Sequence, residues 1–316
     1  MSFDPSGKRI WVAGHKGMVG SAIVRRLARE GCEVLVADRT ELDLLDQAGV
    51  RAWLADRRPD AVIVAAAKVG GILANSTYPA DFLYDNLVIE TNVIGGSMRA
   101  GVGKLLFLGS SCIFPKFAPQ PIEEESLLTG PLEETNEWDA IANIAGIKLC
   151  QAFRAQHGVD SISGMPPTLY GPNDNFDLQS SHVLPALIRK FSDAARSGAD
   201  TVTVWGSGTP RREFMHVDDC ADACVFLLKN YSGEQFVNIG FGSDVTISEL
   251  ASLIADITGF KGTIVLDSSK PDGTPRKLMS SARLNGMGWT PQISLEAGIT
   301  KTYQWYLDNV AGLLES

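Results

Sequence analysis

Histidine is scarce in this chain, at 4 in 316 residues, and cysteine nearly so, at 5. Cys32, Cys112, Cys150, Cys220 and Cys224 include no Cys-x-x-Cys pair and no matching histidine spacing. That excludes the common zinc patterns and a disulfide framework, so no metal is expected. Cys220 and Cys224 stand at a helix-face spacing, but two thiols alone make a poor metal site. A reduced, cytoplasmic protein is expected. Excess positive charge is missing too: 28 Lys and Arg against 37 Asp and Glu leave a net charge of −9. A nucleic-acid partner would need a basic face. No apolar run comes near the ~20 residues of a membrane span; the stretch at 61–67 is strand-sized. The opening MSFDPSGKRIWVAG puts an acid and a glycine ahead of its first apolar run, unlike a secretory leader. There is no internal repeat and no low-complexity tract.

What is present is a 45% hydrophobic composition, enough for a large core and too much for disorder. Strand-like and helix-like runs alternate. RIWVAG (9–14), EVLVAD (33–38), DAVIVAAA (60–67) and KLLFLGSS (104–111) read as strands. The third is apolar throughout, as a strand covered on both faces should be. Helices are expected at 18–30, 80–100 and 140–157. This βαβ rhythm predicts an α/β fold, a doubly wound parallel sheet of Rossmann type, with ligands beyond the carboxyl ends of its strands. After about residue 165 the rhythm loosens. SHVLPALIRKF reads as a short amphipathic helix with Ser180 or Ser181 as its cap, and FVNIG as a return to the sheet. TISELASLIADITG reads as a helix with Thr246 or Ser248 near its N-cap and Gly259 past its end. This part is expected to be a smaller C-terminal substrate lobe interleaved with the first.

VAGHKGMVGSAIVRRL places Gly14, Gly17 and Gly20 between a strand and a helix, the context a dinucleotide fingerprint requires. The glycines allow a tight turn and close approach to a pyrophosphate, and the helix N-terminus offers free N–H groups, those of Met18 and Val19 included. The second strand ends at Asp38 and Arg39. An acid there suits the ribose hydroxyls of NAD, and an arginine suits the 2′-phosphate of NADP. Lys16 adds a second cation, which favours NADP.

GHKGMVGSAIVRRL, AAAKVGGILAN, LGSSCIFPK, APQPIEEESLLTGPLEETNE, AIANIAGIKLCQ, LYGPNDNFD, SHVLPALIRKF, REFMHVDD and KPDGTPRKL follow one another along nearly the whole chain. Together they resemble the extended short-chain dehydrogenase/reductase family, more narrowly its GDP-L-fucose synthase members. The resemblance implies an NADPH-binding Rossmann domain at 1–165 plus about 218–240, and a substrate lobe at about 166–217 and 241–316. It implies a GDP-sugar substrate and a homodimer whose contact includes the long helices after the third and fourth strands. It puts Ser110 or Ser111 at the sugar's C4 oxygen, Cys112 and His182 as the epimerisation acid/base pair, and Arg212 on the diphosphate. Thr168, Lys190 and Trp205 fall at further substrate positions. Ala65, Ala66, Asn143 and His182 fall at cofactor positions. The chemistry fits these residue types. A C4 ketone acidifies the C3 and C5 protons, a thiolate eased by a nearby cation removes one, and an imidazole returns one.

The family pattern also has Tyr-x-x-x-Lys at the head of the helix at 140–157. Here positions 139–143 read D-A-I-A-N, so Asp139 and Asn143 stand where the proton donor and its cation belong. A carboxyl group with a reference pKa of about 3.9 has no proton to give at neutral pH, where a tyrosine at about 10 has one. Trp138, Pro167-Thr168 and Ser280 are further departures on the substrate side. The expected activity is an NADPH-dependent GDP-4-keto-6-deoxymannose 3,5-epimerase/4-reductase with its reduction step impaired. The alternatives are a 3,5-epimerase alone and a non-catalytic protein that binds NADP(H) or a nucleotide sugar.

Overall fold

The computed structural model describes residues 2–71, 75 and 77–313. Ile72, Leu73 and Ala74 of the AAAKVGGILAN stretch lie outside the described residues. Five strands, β1 (Arg9–Ala13), β2 (Glu33–Leu35), β3 (Ala61–Val64), β4 (Lys104–Leu108) and β5 (Asp160–Met165), form one parallel sheet with an edge strand, Val237–Asn238. Across the sheet the order is Val237–Asn238, β5, β4, β3, β1, β2. The chain leaves β2 at one edge and crosses back over β1 to enter β3, so a crevice opens beyond the carboxyl ends of β1 and β3.

The strands alternate with period two, and both faces are apolar. Trp11, Ala13, Val62, Val64, Leu105 and Phe107 point to one side. There they pack on Val50 and Leu54 of helix Gln47–Arg57, Val93 of Pro79–Arg99 and Ile147 of Glu137–His157. Ile10, Val12, Ala61, Ile63 and Leu106 point to the other, onto Ile23 and Leu27 of helix Met18–Leu27 and Val225 and Leu228 of Val217–Asn230. Burial on both faces is why these strands carry no polar alternation.

A third apolar cluster lies apart from the sheet. Leu187, Ile188 and Phe191 of helix Val183–Ser197 meet Leu250 and Ile254 of Ile247–Thr258, and Ile299 and Tyr306 of Leu295–Asn309. A two-stranded parallel ribbon, Thr201–Trp205 with Thr263–Asp267, borders it. Beside it Arg211–Arg212 pairs with Val245–Thr246 on one side and Arg276–Lys277 on the other, and the register sets Lys277 opposite Arg212.

The observed strands are shorter than the apolar runs suggest. β2 stops at Leu35 and β4 at Leu108, because the residues beyond leave the ladder to form loops at the crevice. Helix Glu137–His157 begins three residues before the expected start at 140. Helix Val183–Ser197 is capped by neither Ser180 nor Ser181; His182 holds the N-cap position without a side-chain bond. The Ser180 hydroxyl is used elsewhere, donating to Asp177 Oδ1 at 2.9 Å. Thr246 caps Ile247–Thr258 through a reciprocal bond with Glu249, and Gly259 ends it in the left-handed conformation. Among the described residues no helix is long and apolar enough to cross a membrane.

Candidate active site

β1 runs directly into the glycine loop. Gly14 has φ +89°, and a Cβ there would lie 2.7 Å from the Ala65 carbonyl oxygen and from Ala66 backbone atoms. A Cβ on Gly20 would lie 2.1 Å from the Gly14 carbonyl oxygen. Side chains at either position would fill the cradle. Gly17 caps helix Met18–Leu27 without a side-chain bond, so the N–H groups of Met18, Val19 and Gly20 have no helical acceptors. Free donors at a helix N-terminus fit a pyrophosphate, so the residues present fit the dinucleotide expected from the sequence.

Lys16 stands beside the strand-end acid. Its ammonium lies 3.3 Å from Asp38 Oδ2, so the loop cation and the strand-end acid offset one another. Asp38 also accepts from the Thr40 hydroxyl and from the N–H groups of Thr40 and Glu41. These bonds, the Thr40 hydroxyl first, hold its carboxyl well below the usual range. Arg39 is exposed and pairs with no acid among the described residues.

The chemistry gathers where β4 ends. The Ser110 oxygen accepts from the Cys112 N–H at 3.4 Å. Ser111 is buried, its N–H donating to the Pro166 carbonyl. Cys112 is buried, and its thiol donates to Asp139 Oδ2 at 3.3 Å. The Asn143 amide donates to the Asp139 carbonyl at 2.9 Å and approaches Cys112 Sγ at 3.9 Å. Asn86, from helix Pro79–Arg99, donates to Asp139 Oδ1 at 3.3 Å. The i, i+4 spacing therefore does place positions 139 and 143 on one helix face toward the site, and the two side chains close around the thiol.

Burial raises the Asp139 carboxyl above its ordinary value, against the thiol, Lys277 and Asn143. Burial and then the Asp139 charge push the Cys112 thiol well up, and Lys277 and Ser110 oppose this without overcoming it. The sequence asks for a cation that lowers the Cys112 pKa, and here the net effect runs upward. The expected cation is present, but an acid stands closer. His182 is exposed at the head of helix Val183–Ser197; the protein around it, then the Lys277 charge, lowers its pKa.

Two ionisable residues that sequence reasoning missed stand near the site. Lys277 feels Cys112, Arg212, Glu133 and Asp139, and burial lowers its pKa. Its ammonium makes no hydrogen bond or ion pair with the described residues. Its only signal was the basic pair inside GTPRKL. Glu90 lies behind Asp139 in helix Pro79–Arg99, with Oε2 buried and unpartnered, and burial followed by the Asp139 charge pushes it up to about 9. A lone acid in an otherwise apolar helical stretch is the signal that could have found it.

The remaining substrate-side positions form a flank. Arg212 donates to the Asp272 carbonyl, and its neighbour across the ladder is Lys277. Trp205 is 53% exposed, with the Lys190 and Lys270 ammoniums 5.3 and 5.2 Å from its ring centre. Lys190 also donates to the Thr203 carbonyl. A flat ring bordered by cations suits an aromatic base carrying phosphates. Thr168 is half-buried beside Phe214. The Ser280 hydroxyl is turned to its own chain, accepting from the Ala282 N–H.

The model of the NAD dependent epimerase/dehydratase family matches residues 10–240. The GDP-L-fucose synthase of Sinorhizobium fredii is 64% identical over 305 residues, covering 96% of this chain and 97% of that protein. Among solved structures, a GDP-6-OMe-4-keto-L-xylo-heptose reductase from C. jejuni aligns with a TM-score of 0.91 at 33% identity, covering 98% of this chain and 99% of that one. A GDP-L-fucose synthetase from Naegleria fowleri bound to NADP aligns at 0.88 and 28% identity, covering 98% and 96%. With a dinucleotide cradle on a parallel sheet and relatives matched over almost their whole length, this chain belongs to the NAD dependent epimerase/dehydratase family, among its GDP-L-fucose synthases.

Proposed function

We propose that this chain is an NADPH-dependent GDP-4-keto-6-deoxymannose 3,5-epimerase/4-reductase. One juxtaposition carries the reading: Ser110 and Cys112 follow β4 in the same parallel sheet whose β1 opens into the dinucleotide cradle. The substrate's C4 ketone acidifies its C3 and C5 protons. One member of the Cys112 and His182 pair removes a proton and the other returns one to the opposite face. The Ser110 hydroxyl donates to the C4 oxygen as it gains charge. Arg212 holds the diphosphate, and Trp205 with Lys190 supports the base. NADPH, when bound, supplies the hydride that reduces C4; Gly14, Met18, Val19 and Gly20 hold its pyrophosphate and Arg39 its 2′-phosphate. Ala65 and Ala66 line the same cradle, with Asn143 and His182 at its nicotinamide end.

Asp139 and Asn143 favour a second reading, in which epimerisation outruns reduction, because neither supplies what a tyrosine and a lysine would. A reaction in deuterated water with GDP-4-keto-6-deoxymannose and NADPH separates the two. Deuterium at C3 and C5 with stoichiometric NADPH oxidation is the expected result. Deuterium with no oxidation leaves the epimerase reading. Neither signal, with both ligands bound, sinks both readings.

Residues 1–165 with about 218–240 are read as the cofactor domain, and about 166–217 with 241–316 as the substrate lobe. The working form is a homodimer in the cytoplasm. The exposed side chains of Tyr84, Trp138 and Ile141 on the two long helices support the contact, and five unpaired cysteines support the reducing compartment.

A further inference from the structure

We propose that Gly71 and Asn173 are positioning residues for His182: from two sides of the crevice they fasten the segment at 171–182, and so fix where the imidazole stands. This rests on the reading above that His182 belongs to the epimerisation pair. Two contacts carry it. The Asn173 amide donates to the Ser21 hydroxyl oxygen at 3.0 Å, and Ser21 lies in the first turn of helix Met18–Leu27, which follows β1. The Gly71 N–H donates to the Ser180 carbonyl at 2.9 Å, and Gly71 lies in the loop that follows β3. β1 and β3 are neighbours in the sheet, and the crevice opens beyond their carboxyl ends. The segment therefore reaches from one wall of the crevice to the other, and His182 is its last residue.

A contact at one end of the segment reaches the other because the part between is stiff. Phe176 is buried, its ring centre 4.8 Å from that of Tyr306 in the third apolar cluster, and its carbonyl accepts from Arg189. Asp177 Oδ1 accepts from the N–H groups of Gln179 and Ser180, both at 3.0 Å. The Asp177 carbonyl accepts from the Ser181 N–H at 2.9 Å, and Asn175 donates to the Ser180 hydroxyl at 2.9 Å. These bonds hold 175–181 as one piece on Phe176, so the place of its far end is decided by what that end touches.

Each fastening depends on residue type. A Cβ on Gly71 would lie 2.7 Å from the Ser181 carbonyl oxygen, the group next to His182. A side chain there would have to drive that carbonyl away, and with it the head of helix Val183–Ser197, where His182 holds the N-cap position. Asn173 stands at φ +66°, a conformation that asparagine tolerates better than most residues with a side chain, and from there its amide reaches Ser21. A reacting group misplaced by ~1 Å can cost ~10²-fold in rate. A fastening one residue from the imidazole therefore bears on turnover more than on stability.

The test follows the His182 imidazole by NMR in the full chain carrying isotope-labelled histidine, its signals identified by their loss in His182→Asn. Gly71→Ala and Asn173→Ala are each expected to shift those signals and to leave in place those of His157, at the far end of helix Glu137–His157. A second arm follows deuterium wash-in from deuterated water into GDP-4-keto-6-deoxymannose, expected to slow about tenfold in Gly71→Ala. Ser21→Ala should match Asn173→Ala, and the double change should cost no more than either alone, as for two residues that act through one bond. Ser21→Thr, which keeps the oxygen, should restore the behaviour of the unaltered chain. His182 signals that stay in place in both variants overturn the proposal, and so does an additive loss in the double variant. Should Gly71→Ala not fold, the Ser21 and Asn173 variants carry the same decision. If the unaltered chain incorporates no deuterium, the epimerase reading fails, while the signals still decide whether the two contacts place the imidazole.

Discussion

Single residues in this molecule act through charge and through the space they leave. Arg39 is the cation beyond β2 that no acid among the described residues takes up, whereas Lys16 lies against Asp38. Arg39→Ala is therefore expected to raise the KM for NADPH about tenfold, as the loss of one charge-assisted contact worth ~1.4 kcal/mol would. The KM for NADH should move little, and steady-state kinetics with both cofactors checks this. Glu90 makes a prediction about pH. Its carboxyl titrates at about 9 in the folded chain against an ordinary value of 4.5. The folded state therefore holds a proton that the unfolded state loses, and this contribution to stability falls as pH rises from 4.5 through 9. Glu90→Gln removes the titration. Its Tm should exceed that of the unaltered chain at pH 9 by roughly 2–4 °C, on the order of 1 kcal/mol. The gap should close at about pH 5, below the window. Melting curves at the two pH values decide it.

At the scale of elements, two helices carry most of the consequence. Helix Ile247–Thr258 begins with a reciprocal cap, Thr246 to Glu249. Thr246→Ala removes one half of it and should cost ~1 kcal/mol, with no change in kcat. Denaturant unfolding followed beside an activity assay separates the two effects. Helix Glu137–His157 presents Asp139 and Asn143 to the site from one face. Substituting both, Asp139→Tyr with Asn143→Lys, supplies a proton donor and the cation that eases it. The rate of NADPH oxidation is expected to rise by about 10²–10⁴. The two changes should not be additive when made singly, because they act as a unit. A double-substituted chain no faster than the unaltered one would move the cause to Pro167-Thr168 or Ser280.

For the whole molecule, the long helices leave large side chains in water. Tyr84 is 67% exposed, and Trp138 and Ile141 stand out from the neighbouring helix. A dimer built on these faces should sediment at about twice the chain mass of 34.0 kDa. Tyr84→Asp should shift it toward monomer, which analytical ultracentrifugation reads directly. The site itself also belongs to this scale. Its loops come from the carboxyl ends of β1, β3 and β4, and its cations from strands more than a hundred residues further along the chain.

Local patterns were legible where local physics decides them. Two-faced apolar strands, the glycine turn after β1 and the Thr246 cap each follow from residues within a few positions of one another. So did the placing of positions 139 and 143 on one helix face, because 3.6 residues per turn is a local fact. Ionisation states and partners could not be read this way. The sequence makes Cys112 a base only if a cation eases it; burial, then Asp139 reaching it from another element, pushes its thiol the other way, and Lys277 opposes them only through its field. Lys16 counts as one of two cations against one acid, and the fold sets it beside that acid, Asp38, across the turn. Glu90 and Lys277 went unnoticed, since burial is a property of the packed chain and a sequence position carries no dielectric. The sequence by itself thus determined the sheet, its cofactor cradle and the residue types of the site. Only the tertiary structure decided which of them share a proton, because electrostatic reach falls with distance in space and takes no account of distance along the chain.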